Sequence, residues 1–196
     1  MRAMRRSLPL IMIATACTSH GSAPPAHQHG TAATLPATAG AGYTVADVRF
    51  MQDMIGHHAQ AIVMAALAPT HGVSTNVQRL AEKIDISQRD EIAMMTEWLR
   101  QRSQPVPDSV HLHVMMPGML TPEEMRRLDA ARGAEFDRLF LSFMIRHHEG
   151  ALVMVEKLFE TAGAAQDPDL FRFVTDVDAD QRDEIYAMKQ LLDTLR

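Results

Sequence analysis

The segment FMQDMIGHHAQAIVM at residues 50–64 returns as FLSFMIRHHEGALVM at residues 140–154. A second echo trails each copy: Gln88-Arg89-Asp90-Glu91-Ile92 with Met95 matches Gln181-Arg182-Asp183-Glu184-Ile185 with Met188. In both copies apolar residues recur at three and four positions, the spacing of an amphipathic helix. The repeated unit is therefore a helix, a turn and a second helix. Neither copy can bury its apolar stripe alone, so the simplest fold packs the two hairpins together as an all-α, antiparallel four-helix bundle. No segment reads as a strand.

Capping and breaking residues set the boundaries. Thr44 with Asp47 three positions later starts the first helix, and Pro69 and Gly72 stop its apolar run. Ser74 caps a second helix to about Gln101, which Ser103-Gln104-Pro105-Val106-Pro107 ends. After a long loop, Thr121-Pro122-Glu123-Glu124 opens a short helix in the crossover. Gly133 precedes a long helix from Ala134 to Thr161, and Asp167-Pro168 starts the last, which runs nearly to Arg196.

At 100° per residue, Phe50, Met54, His57, Ala61 and Met64 form one seam, with Met51, Ile55, His58 and Ile62 beside it. The second copy aligns Phe140, Met144, His147, Ala151 and Met154, then Leu141, Ile145, His148 and Leu152. On the partner helices the inward positions read Ile84, Gln88, Glu91, Met95, Trp98 and Val177, Gln181, Glu184, Met188, Leu191. Four histidines and two glutamates thus point where a bundle normally wants Leu. Buried ionisable groups persist only when paired or metal-bound. Either each Glu accepts a hydrogen bond from a His in a closed polar network, or the imidazoles hold a metal with Glu91 and Glu184 as ligands or orienting partners. Met54 and Met144 flank them as candidate ligands or as core filler.

The crossover adds an independent signal. His111-Leu112-His113-Val114-Met115-Met116-Pro117-Gly118-Met119 concentrates two histidines and three methionines outside any expected helix. Imidazole and thioether together select soft metals, above all Cu(I), with Ag(I) as its mimic, while leaving other metals open. Thioethers have no proton to lose and survive where thiolates oxidise, which suits an oxidising exterior.

The N-terminus points outside the cell. Arg2, Arg5 and Arg6 precede an apolar stretch at residues 8–16, too short to span a bilayer as a mature helix, so residues 1–17 read as a signal peptide. It ends at Cys17, the only cysteine, in a string like a lipobox but with Ala14 where Leu is usual; Cys17 is the expected lipid anchor. Residues 18–43, rich in Ala, Pro, Gly, Thr and Ser, form a flexible linker, and residues 44–196 the bundle. A net charge of −5, with arginines scattered among acids, argues against a nucleic-acid partner. The membrane is reached only through the anchor, and the sequence names no protein partner.

The MIxHHxxA segments at 54–61 and 144–151, the QRDEI segments, and MPGM (116–119) before TPEEM (121–125) resemble the family known as domain of unknown function 305. The likeness covers residues 44–196. It implies a ferritin-like helical bundle, usually exported, and some members of the family are periplasmic copper-binding proteins associated with copper tolerance. His57, His58, His147, His148 and the Met115–Met119 loop fall on its motif positions. The expected function is buffering or delivery of Cu(I) at the cell envelope. The alternatives are a His/Glu metal-site oxidoreductase and a metal-free structural envelope protein. A di-iron oxidase needs Glu-x-x-His on two helices, which this chain lacks. No Ser-His-Asp, Cys-His or phosphate-cradling glycine pattern supports a hydrolase or nucleotide enzyme.

Overall fold

The computed structural model describes residues 38–40, 42–107 and 116–195. The expected signal peptide, Cys17, most of the expected linker, and His111, His113 and Met115 lie outside the described residues. Four long helices carry the fold: α1 (Val45–Ala65), α3 (Thr75–Gln101), α5 (Gly133–Glu160) and α6 (Pro168–Thr194), with short α2 (Ala68–His71) after α1 and α4 (Pro122–Ala130) in the crossover.

Which residues share a core shows how the helices run. One apolar half gathers Val48–Ile55 of α1, Met95–Leu99 of α3, Ala151–Leu158 of α5 and Leu170–Val177 of α6. The other gathers Ala61–Ala65, Val77–Ile84, Phe136–Ile145 and Ile185–Met188 from the same four helices. The start of α1 therefore lies beside the ends of α3 and α5 and the start of α6. Helices α1 and α6 run one way, and α3 and α5 the other. Because α3 and α5 are parallel, residues 102–132 must travel the length of the bundle between them. A four-helix bundle with one long crossover has ferritin-like connectivity.

Local chemistry explains the ends. Thr44 and Asp47 form a reciprocal capping box at α1, and Thr121 and Glu124 another at α4. The first helix stops sooner than its breakers suggest. It unwinds after Ala65, and Pro69 sits in the first turn of α2, where its missing N–H costs nothing. The expectation of no strand is also corrected. A strand β1 (Thr38–Gly40) pairs antiparallel with β2 (Tyr43–Thr44). Tyr43 then packs edge-on against Trp98 at 5.4 Å, and the Arg102 guanidinium lies 4.2 Å over the indole. That aromatic seat orders the end of a segment that composition alone reads as linker.

Two buried aspartates staple the hairpins together, at equivalent positions of the repeat. Asp47 accepts the Ala165 N–H of the α5–α6 loop at 2.7 Å. Asp137 accepts the Ser74 N–H at 2.9 Å and the Val73 N–H at 3.4 Å, at the entrance to α3. Each first helix thus reaches into the turn of the other hairpin. Asp137→Ala should cost roughly 1–3 kcal/mol in a denaturant titration, because it leaves two partly buried N–H donors at the entrance to α3 without their acceptor. An unchanged midpoint would show that water replaces the carboxylate.

Candidate metal centre

Between the two apolar halves lies one polar layer. His57 and His58 of α1, Gln88 and Glu91 of α3, His147 and His148 of α5, and Gln181 and Glu184 of α6 are all buried. Every long helix contributes two residues, so the repeat in the sequence becomes a ring of four imidazoles, two carboxylates and two carboxamides. Gln88 and Gln181 complete it, though sequence reasoning placed them only as inward-facing and not as part of the site.

The two outer histidines are paired with the carboxylates. His58 Nε2 donates to Glu91 Oε2, and His148 Nε2 donates to Glu184 Oε2 at 2.8 Å. Lys83, largely exposed, brings its ammonium to 3.8 Å from the other Glu184 oxygen. The two inner histidines stack, with ring centroids 3.9 Å apart and planes tilted by 37°. Burial holds the His57 ring down to about 3, with the His58 and His148 charges adding to the effect and the Pro117 hydrogen bond opposing it. Burial likewise pushes His147 well below its ordinary value, and the neighbouring imidazoles push it further. Both are neutral at physiological pH.

Methionine and glycine hold a turn over this stack. Met119 N–H donates to the Met116 carbonyl at 3.2 Å, with Pro117 and Gly118 between them and Gly118 at φ +78°, the residue order of a type II turn. His57 Nε2 donates to the Pro117 carbonyl at 2.9 Å. Gln60 grips the next residue twice, its Nε2 donating to the Leu120 carbonyl at 3.0 Å and its Oε1 accepting the Leu120 N–H at 2.7 Å. Gly150 permits the contact: a Cβ there would stand 2.0 Å from the Pro117 carbonyl oxygen. Arg146 forks onto Glu124 at 2.6 and 2.8 Å, which ties α4 to α5 and drops the Glu124 carboxyl to about 2.

The expected ligands are only partly gathered. His57, His58, His147, His148, Glu91 and Glu184 share the layer. Met54 belongs to one apolar half and Met144 to the other, so these two flank the layer on opposite sides. Met116 is buried and Met119 packs against the first half. Among the described residues no three His, Cys, Asp or Glu side chains stand ready around one cation. Yet His57 Nδ1, His58 Nδ1, His147 Nε2 and His148 Nδ1 are all buried without a hydrogen-bond partner. Unpaired buried nitrogens are uncommon, and imidazole nitrogens are donors of the kind that borderline and soft metals take. Gln60 and Gly150 were missed from the sequence. Their signal was one of several places where the two MIxHH copies differ, Gln against Gly, beside Asp53 against Phe143, Gly56 against Arg146 and Ala59 against Glu149.

A long-helix bundle with one crossover and a buried imidazole–carboxylate layer defines a ferritin-like helical protein. The chain belongs to the DUF305 family, a domain of unknown function, whose profile matches residues 47–192. No curated protein matches it. Among solved structures, a DUF305 fragment from Deinococcus radiodurans is 30% identical with a TM-score of 0.67, covering 78% of this chain and 98% of that one. A DUF305 protein from Streptomyces coelicolor, assigned as secreted, is 29% identical with a TM-score of 0.68, covering 76% and 93%. CopM in its Cu(II)-bound form is 29% identical with a TM-score of 0.65, covering 76% and 97%. CopM has also been solved in Cu(I)-bound, Ag-bound and apo forms.

Proposed function

We propose that this protein binds copper, chiefly as Cu(I), and buffers or delivers it at the cell envelope. The observation that carries the reading is the mid-bundle layer of four imidazole nitrogens that are buried and unpartnered. The similarity to CopM, solved with Cu(I), Cu(II) and Ag, supports copper over other metals. The methionines of the 111–119 segment suit the monovalent ion. An exported chain anchored through Cys17 would hold this site outside the cytoplasm, in agreement with a secreted relative. No helix among the described residues is long and apolar enough to cross a membrane.

Metal analysis of the mature protein, loaded separately with Cu(I), Zn(II) and Fe(II), tests the reading. Copper should be retained against a moderate competing chelator and should raise thermal stability. The His58–Glu91 and His148–Glu184 pairs favour a second reading, a closed polar layer without metal. Loss of all copper to the chelator, with unchanged thermal stability, would establish it. Dioxygen consumption only with iron loaded would instead favour an oxidoreductase.

Replacing Met115, Met116 and Met119 together by Leu keeps apolar volume and removes the thioethers. Stability should change by less than about 1.5 kcal/mol per site, and Cu(I) affinity should fall. Unaltered affinity would assign these methionines to packing.

A further inference from the structure

The geometry points to a second site: a groove between α3 and α6 that binds an amphiphilic organic cation, an ammonium head on an apolar body. The groove has a volume of about 450 Å³, within the range of small-molecule sites. It belongs to the apolar half that gathers Met95–Leu99 with Leu170–Val177, outside the histidine layer, and owes nothing to a metal.

Its buried lining is Met51 of α1, Trp98 of α3 and Phe173 of α6, and the half-exposed Met94 carries the apolar lining to the surface. Thioethers beside aromatic rings make a soft, polarizable wall that adapts to an apolar guest. Trp98 is pinned in place. Its Nε1–H donates to Asp167 at 3.2 Å, and the Arg102 guanidinium lies 4.2 Å from its ring. That guanidinium is itself paired with Asp167, so it adds little free positive charge. The indole thus already carries one cation on its ring, the contact that a guest ammonium would repeat.

The polar lining is acidic. Glu97 of α3 and Asp169 and Asp176 of α6 stand against a single cation, Arg172. Other acids of these helices are matched, Asp85 with Arg89, Asp167 with Arg102 and Asp178 with Arg182. Glu97, Asp169 and Asp176 have no cation partner among the described residues, and Glu97 accepts from the neutral Gln101 amide at 2.9 Å. Arg172 follows Asp169 by three residues and precedes Asp176 by four, spacings that allow an ion pair, yet among the described residues it closes on neither. An anionic amphiphile would be repelled here, and a neutral one would leave the carboxylates unanswered. A cationic one satisfies both the apolar lining and the acids. The net charge of −5 carries the same bias over the whole chain.

Trp98 is the only tryptophan, so its emission, excited where tyrosine is silent, reads the groove directly. The mature protein without added metal is titrated with octyltrimethylammonium and, in parallel, with octanol and octanoate, all below micelle formation. The cation should give a saturable change, with the same affinity by calorimetry, and should bind roughly tenfold or more tightly than either control. Glu97→Gln and Asp176→Asn, isosteric changes at the rim, should each weaken the cation roughly fivefold and leave octanol unchanged. Added salt should also weaken the cation selectively. Ala93→Phe, at an exposed lining position, should fill the groove and abolish the response while thermal stability stays near that of the parent. Octanol or octanoate binding as tightly as the cation would overturn the inference, as would unchanged affinity in both charge variants or no saturable change at all. A peptide of Lys and Leu that binds where octyltrimethylammonium does not would overturn it too, and would give the groove to a protein partner.

Discussion

Lowering the pH from 6.5 to about 4.5 should destabilise the metal-free protein steeply, on a slope set by His57 and His147. A histidine in an unfolded chain titrates near 6.5. In the fold, burial holds His57 down to about 3 and His147 well below its ordinary value. Between those limits the unfolded chain carries protons that the native protein refuses, so acid favours unfolding. The contribution is complete above pH 6.5 and is lost as pH falls toward the folded values. Each refused proton costs roughly 1.4 kcal/mol per pH unit, so the two rings together approach ~3 kcal/mol per unit. Against an ordinary total of about 5–15 kcal/mol, that is enough to unfold the domain in mild acid. Glu124, held to about 2 in the fold against an unfolded value near 4.5, adds to the slope only toward the lower edge of the window, where the unfolded chain begins to take its proton. Urea titrations at half-unit pH steps measure the slope. His57→Gln, which keeps a donor for the Pro117 carbonyl but cannot titrate, should remove about one proton's share. A flat unfolding free energy across the window would mean that the layer is open to water.

The sequence made the bundle readable because helices announce themselves through period and caps. Thr44, Ser74, Thr121 and Asp167 each cap the helix expected of them. The inward turn of His57, His58, Glu91 and Glu184 was equally legible, since period alone fixes the face of a long helix. What period cannot give is the pairing across helices. Whether His58 meets Glu91 or a metal depends on rotamers and on which helices are neighbours, and neither is written in the spacing. The Asp47 and Asp137 staples were hidden for the same reason, as their partners lie 118 and 63 residues away. Gly150 was visible as a glycine inside a strong helical pattern, which signals close approach of another backbone. Nothing in the sequence said that the approaching strand of chain was Pro117-Gly118.

The duplication also explains why the layer is only approximately symmetric. Two copies of MIxHH give two equivalent His pairs and two equivalent glutamates, and the structure preserves both His–Glu bonds. The chain can cross the bundle only once, so only one face of the histidine stack receives a turn. Copy one adapts with Gln60, whose amide matches the Leu120 backbone, and copy two with Gly150, which clears a path for it. At this position the divergence between the repeats follows from the unequal environments that the single crossover makes.

Gly150→Ala should loosen that turn and cost roughly 2–4 kcal/mol in spite of a better helix former in α5. In an open helix the change would gain about 1 kcal/mol. Here the new methyl would lie 2.0 Å from the Pro117 carbonyl oxygen and 2.6 Å from Gly118 Cα, backbone atoms that no rotamer change can move aside. Relief requires the turn to lift. Lifting strains or breaks the two Gln60 bonds to Leu120 and the His57 bond to Pro117, each worth roughly 1 kcal/mol, and partly exposes Met116 and Leu120. Undocking the turn caps the penalty, because the bundle can shed it without melting α5. Gln60→Ala supplies the comparison: it removes two of the same bonds with no clash and should cost less. Amide exchange separates local from global loss, with the Leu120 N–H, bonded to Gln60 in the native protein, exchanging far faster in Gly150→Ala than amides in the middle of α3. His57 would then lose the acceptor that fixes its Nε2 proton, so the same substitution should also blur its tautomer. A Gly150→Ala protein as stable as the parent, with Leu120 still protected, would show that the turn has room to spare on α5 and does not govern His57.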